Sequence, residues 1–337
     1  MISHVATRPA GDERAGLKVL SGDDVGDKAR ELDRETLAWI DLSEPDKDDI
    51  DWLAQRFNIH PMAVRDILHH HQRPKLDEYD GAYFGVLYAV GSERKADRRR
   101  LQMHELQFFW TARQLVTIHW LPIPAVDELI GRISDGTLQP TVGGSDHALE
   151  IQDVAYELLD GVIDGYFPAL DALAEWSEDI EEEMFSSRRN QKTLQSIFEL
   201  KKDLFQVRKV VAPARDVMNV LLRRDHQLFP DAFYPYIQDL YDRTNRVIDG
   251  LDTYRDLLSS ALDTYLSFVS NDVNQTVKKM TAVTAILMVD ALVAGVYGMN
   301  FQTMPELHWE YGYPFSLALM AIASLALWVL FRRIRWW

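Results

Sequence analysis

Residues 281–301, TAVTAILMVDALVAGVYGMNF, decide how the rest of the chain is read. An apolar stretch over 281–297 runs directly into Gly298-Met299-Asn300-Phe301, and a second apolar stretch, YPFSLALMAIASLALWVLF, follows at 313–331. Each approaches the ~20 residues that a helix rising about 1.5 Å per residue needs to cross ~30 Å of hydrocarbon. Both therefore predict membrane-spanning helices. The intervening loop, 298–312, carries Glu306, His308 and Glu310 but no Lys or Arg. Lys278 and Lys279 precede the first span, and Arg332, Arg333 and Arg335 follow the second. By the positive-inside rule both termini are cytoplasmic, the loop is external, and Trp336 and Trp337 fit an interfacial aromatic belt. Two buried helices of a soluble core would also give two apolar runs, but would not need basic flanks on matching sides.

Charge is segregated along the 337 residues. Residues 1–279 hold 49 acidic against 33 basic side chains, whereas 280–337 hold three of each. An acidic body argues against nucleic acid, which selects basic faces, and suits attraction of divalent cations. Acidity of this kind also serves plain solubility. There is no Cys, hence neither a disulfide framework nor a thiolate metal site. Residues 1–16 are polar without an apolar signal segment and predict a disordered N-terminus.

The pattern predicts a cytoplasmic α/β domain over 17–145, a helical pair over 146–235, a stalk helix over 236–280, spans over 281–297 and 313–331 flanking the loop 298–312, and a basic tail over 332–337. Residues 36–42, 82–90, 101–111 and 114–120 read as strands, being rich in β-branched and aromatic residues. Residues 46–57 and 61–68 read as short helices, the first entered through Ser43 as cap with Pro45 in its first turn. Gly143-Gly144-Ser145 breaks the pattern, after which 148–185 and 191–222 read as two long helices separated at 186–190. The acids around Glu178 and Glu182 read as a solvated tip. Residues 236–297 lack Pro, and a continuous helix of that extent spans about 93 Å, far more than a bilayer. It is a stalk that becomes the first span.

A stripe runs along this stalk. Asp242, Asp249, Asp256 and Asp263 recur every seven residues, and the series continues through Ser270, Val277, Thr284, Ala291 and Gly298. A companion series reads Ser267, Asn274, Thr281, Met288 and Gly295. Sustained seven-residue repeats imply left-handed supercoiling. These positions lack the Leu and Ile of a dry seam, so the stripe predicts several stalks around a wet axis. Plain solvent exposure of the Asp residues is the alternative, because a straight helix drifts ~20° per heptad.

With these residues in view, the chain resembles the CorA family of divalent metal transporters. The likeness is carried by His60-Pro61, Asp66-Ile67-Leu68 and His71-Gln72-Arg73-Pro74-Lys75, by Asp239-Leu240-Tyr241-Asp242, Arg255-Asp256 and Ser270-Asn271, and by Lys279, Gly295-Val296-Tyr297-Gly298-Met299-Asn300-Phe301 and Met304-Pro305-Glu306-Leu307. The resemblance implies a funnel-shaped homopentamer with a pore lined by the first span, passing Mg²⁺, Co²⁺ and Ni²⁺ and closed by cytoplasmic Mg²⁺. It puts Asn300 at the outer mouth, with Gly298 allowing close approach to the axis and Met299 packing beside it. Asp263, Asn274, Val277, Thr281, Thr284, Met288, Ala291 and Gly295 are the implied pore lining. Regulatory metal is implied between neighbouring cytoplasmic domains, with Asp66 facing Asp239 and Asp164 as a further oxygen donor. Arg65 stands where better-known members carry an acid. No phosphate-binding glycine loop and no catalytic nucleophile with its base are present, so the membrane potential is the expected driving force and no nucleotide or enzymatic activity is expected.

Two features depart from the pattern or add to it. Val289-Asp290 replaces the family's usual Pro and apolar residue. An Asp at the centre of a span costs ~2.5–3.5 kcal/mol on insertion scales and demands a partner or a function. About 100° from Ala291 around the helix, Asp290 is placed beside the stripe, either as a helix–helix contact or in ion or proton movement. His69-His70-His71 reads as a helix end or loop, since consecutive imidazoles point apart. Asp290 and the histidines favour a proton-coupled, ZntB-like Zn²⁺ transporter, whereas Met304-Pro305-Glu306-Leu307 favours the Mg²⁺ branch. A membrane-tethered metal sensor that conducts nothing is the third reading.

Overall fold

The computed structural model describes residues 2–8, 17–20, 25–33, 36–69, 71–79, 82–95, 98–143, 147–185, 191–223, 228–300, 304 and 309–336. The chain forms two compact units, Met1–Ser259 and Ser260–Trp337.

The first unit is built on a seven-stranded sheet of β1 (Ile2–Thr7), β2 (Lys18–Leu20), β3 (Ala38–Ser43), β4 (Lys75–Tyr79), β5 (Ala82–Lys95), β6 (Arg98–Trp110) and β7 (Gln114–His119), in the order β2-β1-β3-β7-β6-β5-β4. Only β3 and β7 pair in parallel. β7 is buried along its whole length and β3 up to Leu42, as befits central strands covered on both faces. The strands expected from 36–42, 82–90, 101–111 and 114–120 appear as β3, β5, β6 and β7. β5 and β6 pair from Tyr83↔Trp110 out to Lys95↔Arg98, well beyond the predicted ends. Gly85 lies opposite Phe108, whose ring fills the space a side chain would take; a Cβ there would stand 2.0 Å from the ring.

Three local expectations are corrected. Residues Ile2–Thr7 are not disordered: they pair with both β2 and β3, and Val5 is fully buried. Long-range pairing supplies the order that the polar sequence alone does not announce; residues 9–16 lie outside the described residues. The helix α2 (Lys47–Phe57) is capped by Asp46, not Ser43. The Asp46 carboxylate accepts the Asp49 amide at 2.8 Å, and Asp49 returns the bond to Asp46, closing a capping box. The single helix predicted over 148–185 is two, α5 (Ile151–Asp164) and α6 (Tyr166–Phe185), broken at Gly165. Pro168 cannot donate to the Asp164 carbonyl four residues earlier, so the first helix ends there.

Helices α1 (Val25–Glu31), α3 (Pro61–Leu68) and α4 (Pro124–Ser134) complete the α/β part. α5 packs on β3, β5 and β7, α6 on β5, and α7 (Gln191–Leu221) on β4, β5 and α6. α8 runs from Tyr234 to Tyr297 without interruption. Gly250 lets it close on α6, since a Cβ at that position would meet Leu170 at 2.8 Å.

A charged group sits in the core of the sheet. Asp41 on β3 is 2% exposed, accepts Thr117 Oγ1 at 2.5 Å, and lies 3.2 Å from His119 Nε2. His119 Nδ1 in turn faces the Leu121 carbonyl at 2.9 Å. Both imidazole nitrogens thus face acceptors, an arrangement that favours the protonated ring. Burial pushes the His119 pKa down, but the hydrogen bond and charge of Asp41 outweigh it and the pKa is raised.

In the second unit, the last part of α8 and all of α9 (Gly312–Arg333) are long and apolar enough to cross a membrane. Only 6% and 11% of their apolar windows are buried, unlike the mostly buried core helices of a soluble fold. Leu287, Met288, Leu292, Ile322 and Leu325 are all exposed. In water such a surface would aggregate; in a bilayer it meets lipid or further apolar helices. At the end of α9, Arg332 lies over the Trp328 ring and Phe331 stacks on Trp336.

Candidate functional site

Every position of both seven-residue series on α8 is exposed: Asp242, Asp249, Asp256, Asp263, Ser270, Val277, Thr284, Ala291 and Gly298, and Ser267, Asn274, Thr281, Met288 and Gly295. Among the described residues nothing covers this face. Two of its hydroxyls are committed in a useful way. Ser267 Oγ donates to the Asp263 carbonyl at 3.0 Å and Thr281 Oγ1 to the Val277 carbonyl at 2.8 Å. With their protons held by the helix, these oxygens present lone pairs outward, the polarity that water around a cation requires.

α8 closes at the motif. Gly298 N–H donates to the Ala294 carbonyl at 2.9 Å and Met299 N–H to the Val296 carbonyl at 3.3 Å. A Cβ on Gly298 would stand 3.1 Å from the Ala294 oxygen, so the last turn fits a bare Cα. Asn300 follows immediately and is exposed, as is Met299. Glu306 and its neighbours at 305–308 lie outside the described residues.

Asp290 has a partner. Ser324 Oγ on α9 is 2.9 Å from each of its carboxylate oxygens, so one hydroxyl proton is shared across the pair. The contact joins the two spans.

The carboxylates expected to take regulatory metal each meet a side-chain cation of the same chain. Asp66 on α3 accepts Lys75 Nζ at 2.6 Å, and the same ammonium lies 2.7 Å from Asp77. Burial lowers the Lys75 pKa but the two carboxylates prevail and raise it. Asp164 and Asp160, one turn apart on α5, both accept from Arg243 of α8. Arg243 Nε is 2.9 Å from Asp239, an ion pair without hydrogen-bond alignment. Burial and its acidic neighbours hold the Asp164 carboxyl above the usual carboxylate range in spite of Arg243. Among the described residues no three His, Asp or Glu converge as metal ligands. One oxygen each of Asp160, Asp164 and Asp239 faces Arg243, and the Asp164 and Asp239 side chains remain more than half exposed. Of the histidines, His69 ends α3 with Nδ1 against the Arg65 carbonyl, and His71 has positive φ and bonds Glu105 through its backbone. His70 lies outside the described residues.

The family model described as CorA-like Mg²⁺ transporter protein matches residues 34–333. The chain belongs to this family. The cobalt/magnesium transport protein CorA of Thermotoga maritima is 31% identical over 307 residues, which cover 90% of this chain and 84% of that protein. The zinc transport protein ZntB of Klebsiella pneumoniae is more distant, 24% identical over 95% of this chain and 93% of its own length. The complete structure of the CorA magnesium transporter from Methanocaldococcus jannaschii superposes with a TM-score of 0.79 at 24% identity, covering 99% of this chain and 98% of that one, and shows the shared fold.

CorA-like proteins are transporters of divalent cations and not enzymes, and the two helices of this chain long and apolar enough to cross a membrane accord with that. Within this CorA-like chain, sequence reasoning missed Arg243, Asp160 and Ser324. The Asp239/Arg243 spacing was a readable signal, because residues four apart on a helix are neighbours. Nothing local pointed to Asp160 or Ser324, which come from elements remote in sequence.

Proposed function

We propose that the chain assembles as a homopentamer that admits Mg²⁺, and also Co²⁺ and Ni²⁺, along the exposed stripe of α8. The observation that carries the reading is this stripe: small and polar, uncovered by the chain itself, and ending at Gly298-Met299-Asn300. Symmetric packing of several copies would cover it and turn the outward lone pairs of Ser267 and Thr281 toward an axis. Asn300 amide oxygens then hold the ion through its own waters. That suits Mg²⁺, which dehydrates reluctantly, and a neutral ring avoids trapping it. Two charges crossing about 100 mV gain about 4.6 kcal/mol, enough to drive entry without nucleotide. The basic residues Lys278, Lys279, Arg332, Arg333 and Arg335 support a topology with both ends in the cytoplasm and residues 298–312 outside the cell membrane. Pairing of Asp290 with Ser324 gives it a structural role and supports this reading over proton-coupled Zn²⁺ movement. The test is flux into liposomes containing only this protein. Potential-driven Mg²⁺ entry supports the proposal, Zn²⁺ entry that requires a pH gradient supports the ZntB-like mechanism, and no flux of either ion supports a sensor.

A further inference from the structure

We propose that the end of α9, together with the adjoining turn of α8, is a binding site for anionic phospholipid headgroups. The chain leaves α9 through a turn in which Trp336 N–H donates to the Phe331 carbonyl at 3.0 Å and Arg335 N–H to the Arg332 carbonyl at 3.3 Å. These two bonds, with the Phe331 and Trp336 rings stacked at 5.5 Å, make a Schellman cap. Its left-handed position usually falls to Gly, but here Arg335 takes it with a φ of 58°. A long cation held in a backbone conformation that disfavours side chains points to a use beyond ending the helix. Arg332 lies over the Trp328 ring at 5.2 Å, and Arg332, Arg333 and Arg335 are all exposed.

Depth supplies independent support. The Asp290–Ser324 contact ties the two helices at one level. Consecutive spans run in opposite directions, so the start of the α8 span and the end of α9 share one side of the bilayer. On that side Lys278 and Lys279 stand twelve and eleven residues from the contact, and Arg332 and Arg333 eight and nine. At a rise of 1.5 Å per residue these are depths of ~12–18 Å. Toward the other side, Asn300 and Tyr313 are ten and eleven residues away, so the contact is central. The cations therefore bracket the ~15 Å that separates a bilayer's midplane from the edge of its hydrocarbon, where lipid phosphates begin. Neither 273–289 nor 311–337 contains Asp or Glu, so the five cations have no carboxylate on their own segments. Guanidinium forks beside interfacial Trp rings match a lipid whose phosphate charge is not balanced by an amine. The inference rests on α8 and α9 crossing a bilayer and not on which ion passes.

The experiment compares association of spin-labelled phosphatidylglycerol and spin-labelled phosphatidylcholine with the full chain in phosphatidylcholine bilayers, read from the motionally restricted lipid fraction. It does not read flux, so its failure leaves the uptake reading standing, and failure of that reading leaves this one standing. Wild type is expected to prefer phosphatidylglycerol about fivefold or more, the factor that one cation near an anionic surface supplies, and to lose most of the preference in concentrated salt. Arg332→Gln, Arg333→Gln and Arg335→Gln together are expected to remove most of it, whereas Lys at the same three positions retains it. Arg335→Gly keeps the cap, removes one cation and is expected to lower the preference. Equal association of the two lipids with wild type overturns the proposal, as it would if an acidic protein segment already covered the cations. So does an unchanged preference in the inserted triple Gln protein. Loss of the preference to inorganic phosphate at matched ionic strength assigns the cluster to free anions and overturns it as well. If the triple Gln protein does not insert, Arg335→Gly decides, and a preference equal to wild type rejects the idea.

Discussion

Replacing Ser324 with Ala tests whether Asp290 is a fastener between the two spans. The hydroxyl lies 2.9 Å from both carboxylate oxygens and is the donor that reaches Asp290 among the described residues. Ser324→Ala leaves a polar side chain at membrane depth without its partner, a change that costs about 1–3 kcal/mol when the group stays buried. Asp290→Leu removes the group that needs the partner, and the double variant removes both. Polar contacts between membrane helices have coupling energies averaging ~0.6 kcal/mol and reaching ~1.7. Because one proton is shared over two oxygens at short distance, we expect a coupling near the upper part of that range, about 1–1.5 kcal/mol. The assay is a double-mutant cycle on unfolding in mixed micelles, with oligomer melting as a second readout. Effects of the two single changes that add to within ~0.3 kcal/mol refute the contact, since independent sites add that closely. Asp290→Asn keeps an acceptor for Ser324 and is expected to preserve Mg²⁺ flux and its pH profile. Loss of a pH dependence present in the parent, with assembly intact, would reassign Asp290 to ion movement.

Asn300→Ala is expected to abolish Mg²⁺ flux with the oligomer intact, because the amide ring is lost; parental flux in a properly assembled variant rejects the pore assignment. Gly298→Ala puts a Cβ 3.1 Å from the Ala294 oxygen and is expected to lower flux in the same assay, with unchanged flux counting against a tight last turn. Gly85→Ala drives a Cβ into the Phe108 ring, which is buried and has little room to retreat, and is expected to destabilise the first unit by about 1–3 kcal/mol in denaturant titration. The Asp41 cluster gives a signed pH dependence. His119, and His4 with its Nδ1 3.8 Å from Asp41, are raised above 6.5, so their contribution is full below 6.5 and is lost as pH rises through the raised values. Although burial pushes the Asp41 carboxyl up, hydrogen bonds from its neighbours lower it below 3.8, so its contribution is full above 3.8 and is lost as pH falls through the lowered value. Stability from this cluster is therefore greatest between 3.8 and 6.5, and a His119→Phe protein with the parental alkaline slope would refute it.

The parts of this fold that were legible in the sequence are those whose determinants are local. Two apolar runs with basic flanks announce the spans, and runs rich in β-branched and aromatic residues announce β3, β5, β6 and β7, because each signal lies within its own element. β1 was hidden for the opposite reason. Its six residues hold Ser, His and Thr among few apolar ones, and only the partners β2 and β3 make it a strand. The break between α5 and α6 was readable from Pro168 but was overridden by the strong helical pattern on either side.

The candidate site divides along the same line. Gly298-Met299-Asn300 is contiguous and marks itself, and the stripe follows from one helix at one period. The acidic cluster is assembled from residues about 80 positions apart, and its guanidinium is not legible from the carboxylates read one at a time. A carboxylate motif carries no information about its counter-ion. That information lies in which cation the tertiary structure brings within reach, and in this chain both acidic sites, at Asp66 and at Asp239, acquire one from within the same unit.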